Sequence, residues 1–237
     1  MTKTTCIIQA RIKSTRLPAK TMLILPTGHT VVQKVVWRCF QIEGIDKVVL
    51  AIPDSDDCDI LVQEASRISH ETGKECFVFR GSELDVLSRY YHAWEAFGGD
   101  HIMRITADCP CLDPEVCSQV LKMHLQRAAG YSSNVWPRTY PQGYDCEVFT
   151  KQLLLHVHRN DTRRITREHV TTPMAAGRFC GYAWRVSNLT QEKDESEIRL
   201  TLDTIDDYIR ICHHMLHETR RCVPDRELRE ASLRPSL

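Results

Sequence analysis

Short apolar runs alternate with stripes of helical period along the first half of the chain. Cys6-Ile7-Ile8 fits a buried strand, and a polar loop runs from Gln9 to Lys20. Val31, Val32, Val35, Val36, Cys39 and Phe40 then recur at helical spacing, with Lys34 and Arg38 on the opposite face. Lys47 to Ile52 reads as the next strand, and Pro53 to Asp57 as a turn and N-cap cluster. Ile60, Leu61, Ala65 and Ile68 form a helical stripe, and Cys76 to Phe79 a third strand. Leu87, Tyr90, Tyr91, Trp94 and Phe97 mark a helix whose aromatic row belongs to the core, closed by Gly98-Gly99. His101 to Ile105 is a fourth strand. Asp113 caps and Pro114 opens a helix that turns Val116, Val120, Leu121 and Leu125 inward.

Four strand–helix units in succession predict an α/β fold with a mostly parallel sheet and right-handed crossovers. The second half is less regular. Glu147-Val148-Phe149 fits a short strand, Leu153 to Leu155 a helix, Arg178 to Val186 a strand, Asn188 to Glu197 a polar loop, and Arg199 to Leu202 another strand. Thr204, with Asp207 three residues on, opens a helix whose expected buried face is Ile205, Tyr208, Ile209, Cys212 and Leu216. Val223 to Leu237 reads as a small helix with a frayed tail.

The length of 237 residues fits one large domain with its own core. Lys+Arg and Asp+Glu both number 31, so the net charge is zero and no overall basic footprint for nucleic acid exists. Thr21 to Gln33 is too short and polar to span a bilayer, and the first residues carry no cleavable signal pattern, so a cytoplasmic location is expected. The 11 cysteines are then expected to be reduced and to act as small buried hydrophobes. Cys109-Pro110-Cys111 lacks the further ligands a zinc site needs, and His213, His214 and His217 read as surface residues.

In open parallel sheets, ligands sit beyond the carboxyl ends of the strands. The loop after the first strand holds the cations Arg11, Lys13, Arg16 and Lys20 and the hydroxyls Ser14 and Thr15. That composition suits a polyphosphate, although the glycines and ending of a Walker A loop are missing. Asp108 and Asp203 each follow a strand end, where a carboxylate can hold Mg²⁺ on a nucleotide's phosphates.

QARIKSTRLPAK, FRGSELDVLSRYY, RITADCPCLDPE, YPQGYDCEVF, REHVT and LTLDTIDDY occur in this order. Over roughly residues 4–215 the chain closely resembles the spore-coat-polysaccharide F type of cytidylyltransferase, a group similar to the CMP-Kdo and acylneuraminate cytidylyltransferases. The resemblance implies a Rossmann-like, GT-A-like three-layer nucleotidyltransferase fold. It further implies CTP as donor, Mg²⁺, release of pyrophosphate and a homodimer. One domain over 1–237 is expected, with a nucleotide-binding core at 1–134, an acceptor and dimerisation subregion at 135–180, and a return to the core at 181–223.

By motif, the resemblance places Arg11, Ser14, Arg16 and Lys20 on the triphosphate and Arg80, Gly81 and Ser82 beside the nucleoside, with Asp85 nearby; Ala10 and Thr106 are further expected nucleotide-binding residues. Arg11, Arg16, Lys20 and Asp108 are the expected catalytic residues, with Asp108 and Asp203 as metal ligands. Tyr144, Asp145, Glu147, Glu168 and His169 fall at the expected acceptor pocket. Ala19 stands where many members have Gly, and is tolerated there only at negative φ. Cys111 and Cys146 replace commoner aliphatic residues, and the opening signature of the sialic-acid enzymes is not matched.

The acceptor expected from the resemblance is a sugar acid, with Arg138, Arg163, Arg164 and Arg167 as candidate partners of its carboxylate. A small phosphorylated or phosphonate metabolite is the alternative acceptor. A nucleotide-sugar glycosyltransferase is the alternative enzyme, with Asp57-Cys58-Asp59 as a literal DxD, although Asp57 also reads as a helix cap. A non-catalytic binder would have lost Arg11, Lys20, Asp108 or Asp203, and all four are present.

Overall fold

The computed structural model describes residues 2–222, so the expected helix over Val223 to Leu237 lies outside the described residues. The elements in chain order are β1 (Thr4–Gln9), α1 (Val31–Cys39), β2 (Lys47–Pro53), α2 (Asp59–Thr72), β3 (Cys76–Gly81), α3 (Val86–Phe97), β4 (His101–Thr106) and α4 (Pro114–Gln126). Then come β5 (Tyr131–Ser133), β6 (Glu147–Thr150), α5 (Lys151–Asn160), α6 (Arg164–His169) and α7 (Thr172–Ala175). The last are β7 (Arg178–Phe179), β8 (Tyr182–Ala183), β9 (Val186–Asn188) and α8 (Ile205–Cys222).

Seven of the described strands make one sheet in the order β3-β2-β1-β4-β6-β5-β9. β6 runs antiparallel to both neighbours, and the other pairings are parallel. Period-2 alternation sends Cys6, Ile8, Val48 and Leu50 to one face, where they pack with α1, α2 and α4 residues such as Val35, Leu61 and Val120. Ile7, Val49, Ala51 and Ile102 go to the other face, against Leu87 and Tyr90 of α3 and Leu153 and Val157 of α5. This is the α/β arrangement the alternation predicts, in the three layers the resemblance implies. The chain winds outward from β1 through β2 to β3, then returns to place β4 on the other side of β1. The switch point between β1 and β4 opens a crevice at their carboxyl ends.

The expected caps form where a short polar side chain precedes an apolar stripe. Asp113 accepts from Glu115 N at 2.8 Å and Val116 N at 3.4 Å, and Thr204 and Asp207 bond reciprocally at 3.0 and 3.3 Å. Asp57 is not a helix cap: it lies in a short 3-10 turn and pairs with Lys13 at 3.5 Å.

Three other expectations fail. Arg178 to Val186 is not one strand but a hairpin of β7 and β8, followed by β9. Cys180 and Gly181, both at positive φ (45° and 77°), make the two-residue turn. Arg199 to Leu202 forms only a single bridge, Gln142 with Arg199, because its remaining backbone is bonded elsewhere. Leu200 N donates to Gln142 O at 2.7 Å within that bridge, and Leu202 N turns away to Asp108 O at 2.8 Å. Gly143 admits this segment, since a Cβ there would sit 2.7 Å from the Leu200 carbonyl. Finally, α8 is rotated from the expected face. Ile211 and Met215 are buried against Leu25, Val31, Leu200 and Leu202, with Tyr208 of the expected face packed beside them, whereas Ile205, Ile209 and Leu216 are exposed.

Eight cysteines are buried, and no disulfide forms among the described residues. Burial pushes the Cys76 thiol up to about 12 and also raises Cys109, leaving both unreactive near neutral pH. No described helix is long and apolar enough to cross a membrane.

Candidate active site

A cleft of about 240 Å³ opens at the carboxyl ends of β1 and β4. Its outer wall is the loop after β1. Ala19 N donates to Ile12 O at 3.0 Å and closes that loop back on itself. Ala19 sits at φ 53°, ψ 27°, so the expectation of a negative φ is corrected. The chain turns there through the left-handed region to enter a short 3-10 helix that points Lys20 inward.

Lys20 is buried, and its ammonium is fully satisfied. Nζ donates to Asp108 Oδ2 at 2.7 Å, to Leu202 O at 2.8 Å and to Asp203 Oδ1 at 3.0 Å. Its three protons thus match three acceptors from two distant parts of the chain. Arg16 Nη2 reaches the same Asp203 oxygen at 2.8 Å, and Arg199 Nη2 takes the other oxygen at 2.8 Å. Arg199 is itself held by Asp207, through Nε at 2.9 Å. Burial by itself would raise the Asp203 pKa. Hydrogen bonds from Lys20 and Arg199, with the charge of Arg16, outweigh it and hold the carboxyl below its usual range. Asp108 and Asp203 therefore converge on one point now filled by a cation. Two such carboxylates, completed by ligand phosphate oxygens and water, are a donor set that fits Mg²⁺. Among the described residues no set of three or more His, Cys, Asp or Glu side chains is placed to hold a metal without such help.

The inner wall comes from α3 and α6. Asp85 caps α3, accepting from Ser88 N at 2.9 Å, and its second oxygen takes Arg167 Nε at 2.8 Å. That pair docks α6 on α3 and brings Glu168 and His169 to the cleft. A γ-turn ends α6. Val170 sits at φ 63°, ψ −61°, with Thr171 N donating across it to His169 O at 2.7 Å. The buried Val170 side chain anchors this strained turn in the core.

Of the residues singled out from the sequence, the cleft brings together Ala10, Arg11, Ser14, Arg16, Lys20, Thr106, Asp108, Glu168, His169 and Asp203. The others lie outside its lining. Arg80 pairs with Asp59, Gly81 packs against Arg89, and Ser82 accepts from Asp85 N at 3.0 Å. Tyr144 packs beside the α8 core, and Asp145 forms a two-point pair with Arg138, at 2.5 and 2.8 Å. Glu147 pairs with Arg104. Arg163 is bound by Asp161, so three of the four arginines suggested for an acceptor carboxylate already hold protein carboxylates. Asp57 and Asp59 of the DxD are paired with Lys13 and Arg80.

Arg89 and Arg104 line the cleft and were missed. Their signal is a cation within an apolar pattern: Arg104 within HIMRIT and Arg89 beside Tyr90 on the buried face of α3.

A family model described as "Cytidylyltransferase" matches residues 5–223. The spore coat polysaccharide biosynthesis protein SpsF of Bacillus subtilis is 31% identical over 206 residues, covering 85% of this chain and 82% of that protein. A cytidylyltransferase structure from Leptospira borgpetersenii superposes with a TM-score of 0.80 at 28% identity, covering 90% of this chain and 86% of the other. A CMP:2-keto-3-deoxy-manno-octonic acid synthetase complexed with CTP shares the fold, with a TM-score of 0.66 at 16% identity over 91% of this chain and 99% of the other. The chain is therefore a member of the cytidylyltransferase family.

Proposed function

We propose that the protein transfers CMP from CTP to a small acceptor, a sugar acid for surface polysaccharide synthesis, and releases pyrophosphate. The observation that carries this reading is the meeting of Lys20, Arg16, Asp108 and Asp203 at one point of the cleft. The acceptor oxygen attacks the α-phosphorus of CTP, a new P–O bond forms, and the bond to the β-phosphate oxygen breaks. Negative charge grows on the departing pyrophosphate. Arg11, Arg16 and Lys20 lie in the cleft to offset it, so they favour the transition state over the ground state. Asp108 and Asp203 would hold Mg²⁺, which when bound polarises phosphoryl oxygens. Lys20 and Arg16 meanwhile keep both carboxylates aimed at one place. Glu168 and His169 line the same cleft, and at the acceptor end that the resemblance implies for them either would take the proton of an acceptor hydroxyl. The family resemblance also supports a cytoplasmic homodimer.

The test is pyrophosphate release, with each of the four nucleoside triphosphates crossed against sugar acids and phosphorylated metabolites in the presence of Mg²⁺. CTP with a sugar acid should give the highest kcat/KM. Equal release with all four triphosphates would remove the cytidylyl assignment.

A further inference from the structure

All four side-chain oxygens of Asp108 and Asp203 already accept from donors of the protein. Lys20 Nζ bonds Asp108 Oδ2 and Asp203 Oδ1, Arg16 adds a second bond to that Asp203 oxygen, and Arg199 holds Asp203 Oδ2. Asp108 Oδ1 takes the thiol of its neighbour Cys109 at 3.7 Å. The ammonium stands between the two carboxylates, so a divalent cation bridging the same oxygens needs its place. Two like charges repel and cannot share it. Lys20 is also buried, so salt and water screen its bonds little.

The residue in this place is nonetheless one that can leave. A lysine is a compact charge on a flexible stem, and it changes acceptors by rotating its own side chain. The backbone just ahead of it is Ala19, in the strained left-handed region, and strain of this kind collects at ligand clamps and switches. Arg11, Ser14 and Arg16 line the cleft with Lys20, so phosphate oxygens gathered there are new acceptors for the ammonium. Withdrawing the ammonium alone would strip Asp108 of its cation and the buried Leu202 carbonyl of its donor, which is unfavourable inside a protein. The exchange therefore has two halves, a cation for the carboxylates and an anion for the ammonium. A free divalent cation supplies the first and a metal-free nucleotide the second, whereas a metal–triphosphate complex supplies both.

We propose that Lys20 is a displaceable plug of the metal point: it holds Asp108 and Asp203 closed against free divalent cations and yields to a cation that arrives on a triphosphate. The inference rests on the cytidylyltransferase reading above and concerns the order in which that same site fills. Lys20 has two successive partners, the carboxylates before nucleotide binds and the phosphates afterwards. A free cation finds its oxygens open only in the fraction of molecules whose lysine has swung out, so its apparent affinity falls by that fraction.

The experiment titrates the full chain, without nucleotide, with Mn²⁺ as the probe, and reads bound metal from the loss of the free-ion paramagnetic resonance signal. Lys20→Met keeps the stem and removes the ammonium, and it should bind Mn²⁺ at least tenfold more tightly than the wild type. Arg16→Met removes a charge from the same Asp203 oxygen but leaves the plug in place, and should gain less than about threefold, as for an exposed cation. Adding Asp203→Asn to Lys20→Met should abolish the gain. Equal affinity of wild type and Lys20→Met overturns the plug. An equal gain in Arg16→Met overturns it as well, because net charge rather than occupancy would then set the affinity. A gain that survives Asp203→Asn also overturns it, by placing the metal on other acids of the lining such as Glu83 or Glu168. Lys20→Gln, with a polar side chain, replaces Lys20→Met if the latter does not fold, with the same expected gain. If neither folds alone, Mn²⁺ must restore the fold by binding the native state, and no restoration overturns the proposal. If no triphosphate supports pyrophosphate release, the cytidylyltransferase reading fails, while the Mn²⁺ titration still decides the plug.

Discussion

The Lys20 ammonium, with each proton on a separate acceptor, fixes where the two carboxylates can be. Asp108→Asn and Asp203→Asn each keep the shape and remove one charge from that point. Turnover should fall on the order of 10²–10³-fold, the scale seen when one preorganised electrostatic group is lost. Steady-state kinetics with CTP varied, alongside circular dichroism to show an intact fold, makes the check. Wild-type turnover in either variant would reduce that carboxylate to a structural partner of Lys20. Ala19 supplies a second test. An alanine in the left-handed region is strained, so Ala19→Gly should add roughly 0.5–1 kcal/mol of stability. Urea unfolding would show this as a raised midpoint with an unchanged slope, and a lowered midpoint would count against the left-handed geometry. Much of this site is legible in the sequence, because its loop cations and strand-end carboxylates stand in polar surroundings. Arg89 and Arg104 escape notice because they are embedded among apolar neighbours, where periodicity reads as core. Asp85 and Asp145 read as ligand-facing, yet Asp85 is engaged by Arg167 of α6 and Asp145 by Arg138 of its own loop.

Among the elements, β4, α4 and β5 are tied by a chain of polar side chains. His101 Nδ1 lies 3.0 Å from His124 Nε2, and His124 Nδ1 lies 2.9 Å from Ser132 Oγ. Burial, with His101 adding to it, pushes the His124 pKa down to about 3. An unfolded histidine titrates near 6.5. The unfolded chain therefore binds this proton first as the pH falls. The stabilisation is fully present above pH 6.5 and is lost between 6.5 and about 3, at no more than about 1.4 kcal/mol per pH unit. Urea unfolding from pH 7.5 to 4.5 should show this slope in the wild type and a flatter one in His124→Gln. Identical profiles would mean that other groups carry the acid sensitivity. The depressed carboxyl of Asp207 contributes separately, and only below the ordinary carboxylate range. The first four strands and helices are legible because each is long enough for its period to repeat. β5 and β9 have three residues each, too few for alternation to register. The face of α8 is not legible because Ile205, Ile209 and Leu216 make an apolar row, while the helix is oriented by Asp207 bonding Arg199 and the Thr204 cap.

Across the whole molecule, the site joins the two ends of the described chain. Lys20 meets Asp108 over 88 positions and Asp203 over 183. Tyr208 bonds the Ile24 carbonyl, and Ile211 and Met215 complete a core with Leu25 and Val31. Contacts of such long range form late, since the intervening chain must be ordered first. During refolding from urea, helix content by far-ultraviolet dichroism should return before the capacity to bind a fluorescent CTP analogue. Simultaneous recovery of both signals would argue that the sheet and the α8 cap assemble as one unit. The same closure bears on biosynthesis. A growing polypeptide that has reached β6 holds every strand around the β1–β4 switch point, yet neither Leu202 nor Asp203 exists to receive Lys20 and Arg16. A chain that stops before residue 199 therefore leaves Arg16 without Asp203 and Lys20 with Asp108 alone. Competence arrives only once Asp203 has been made, well after the strands of the switch point are in place.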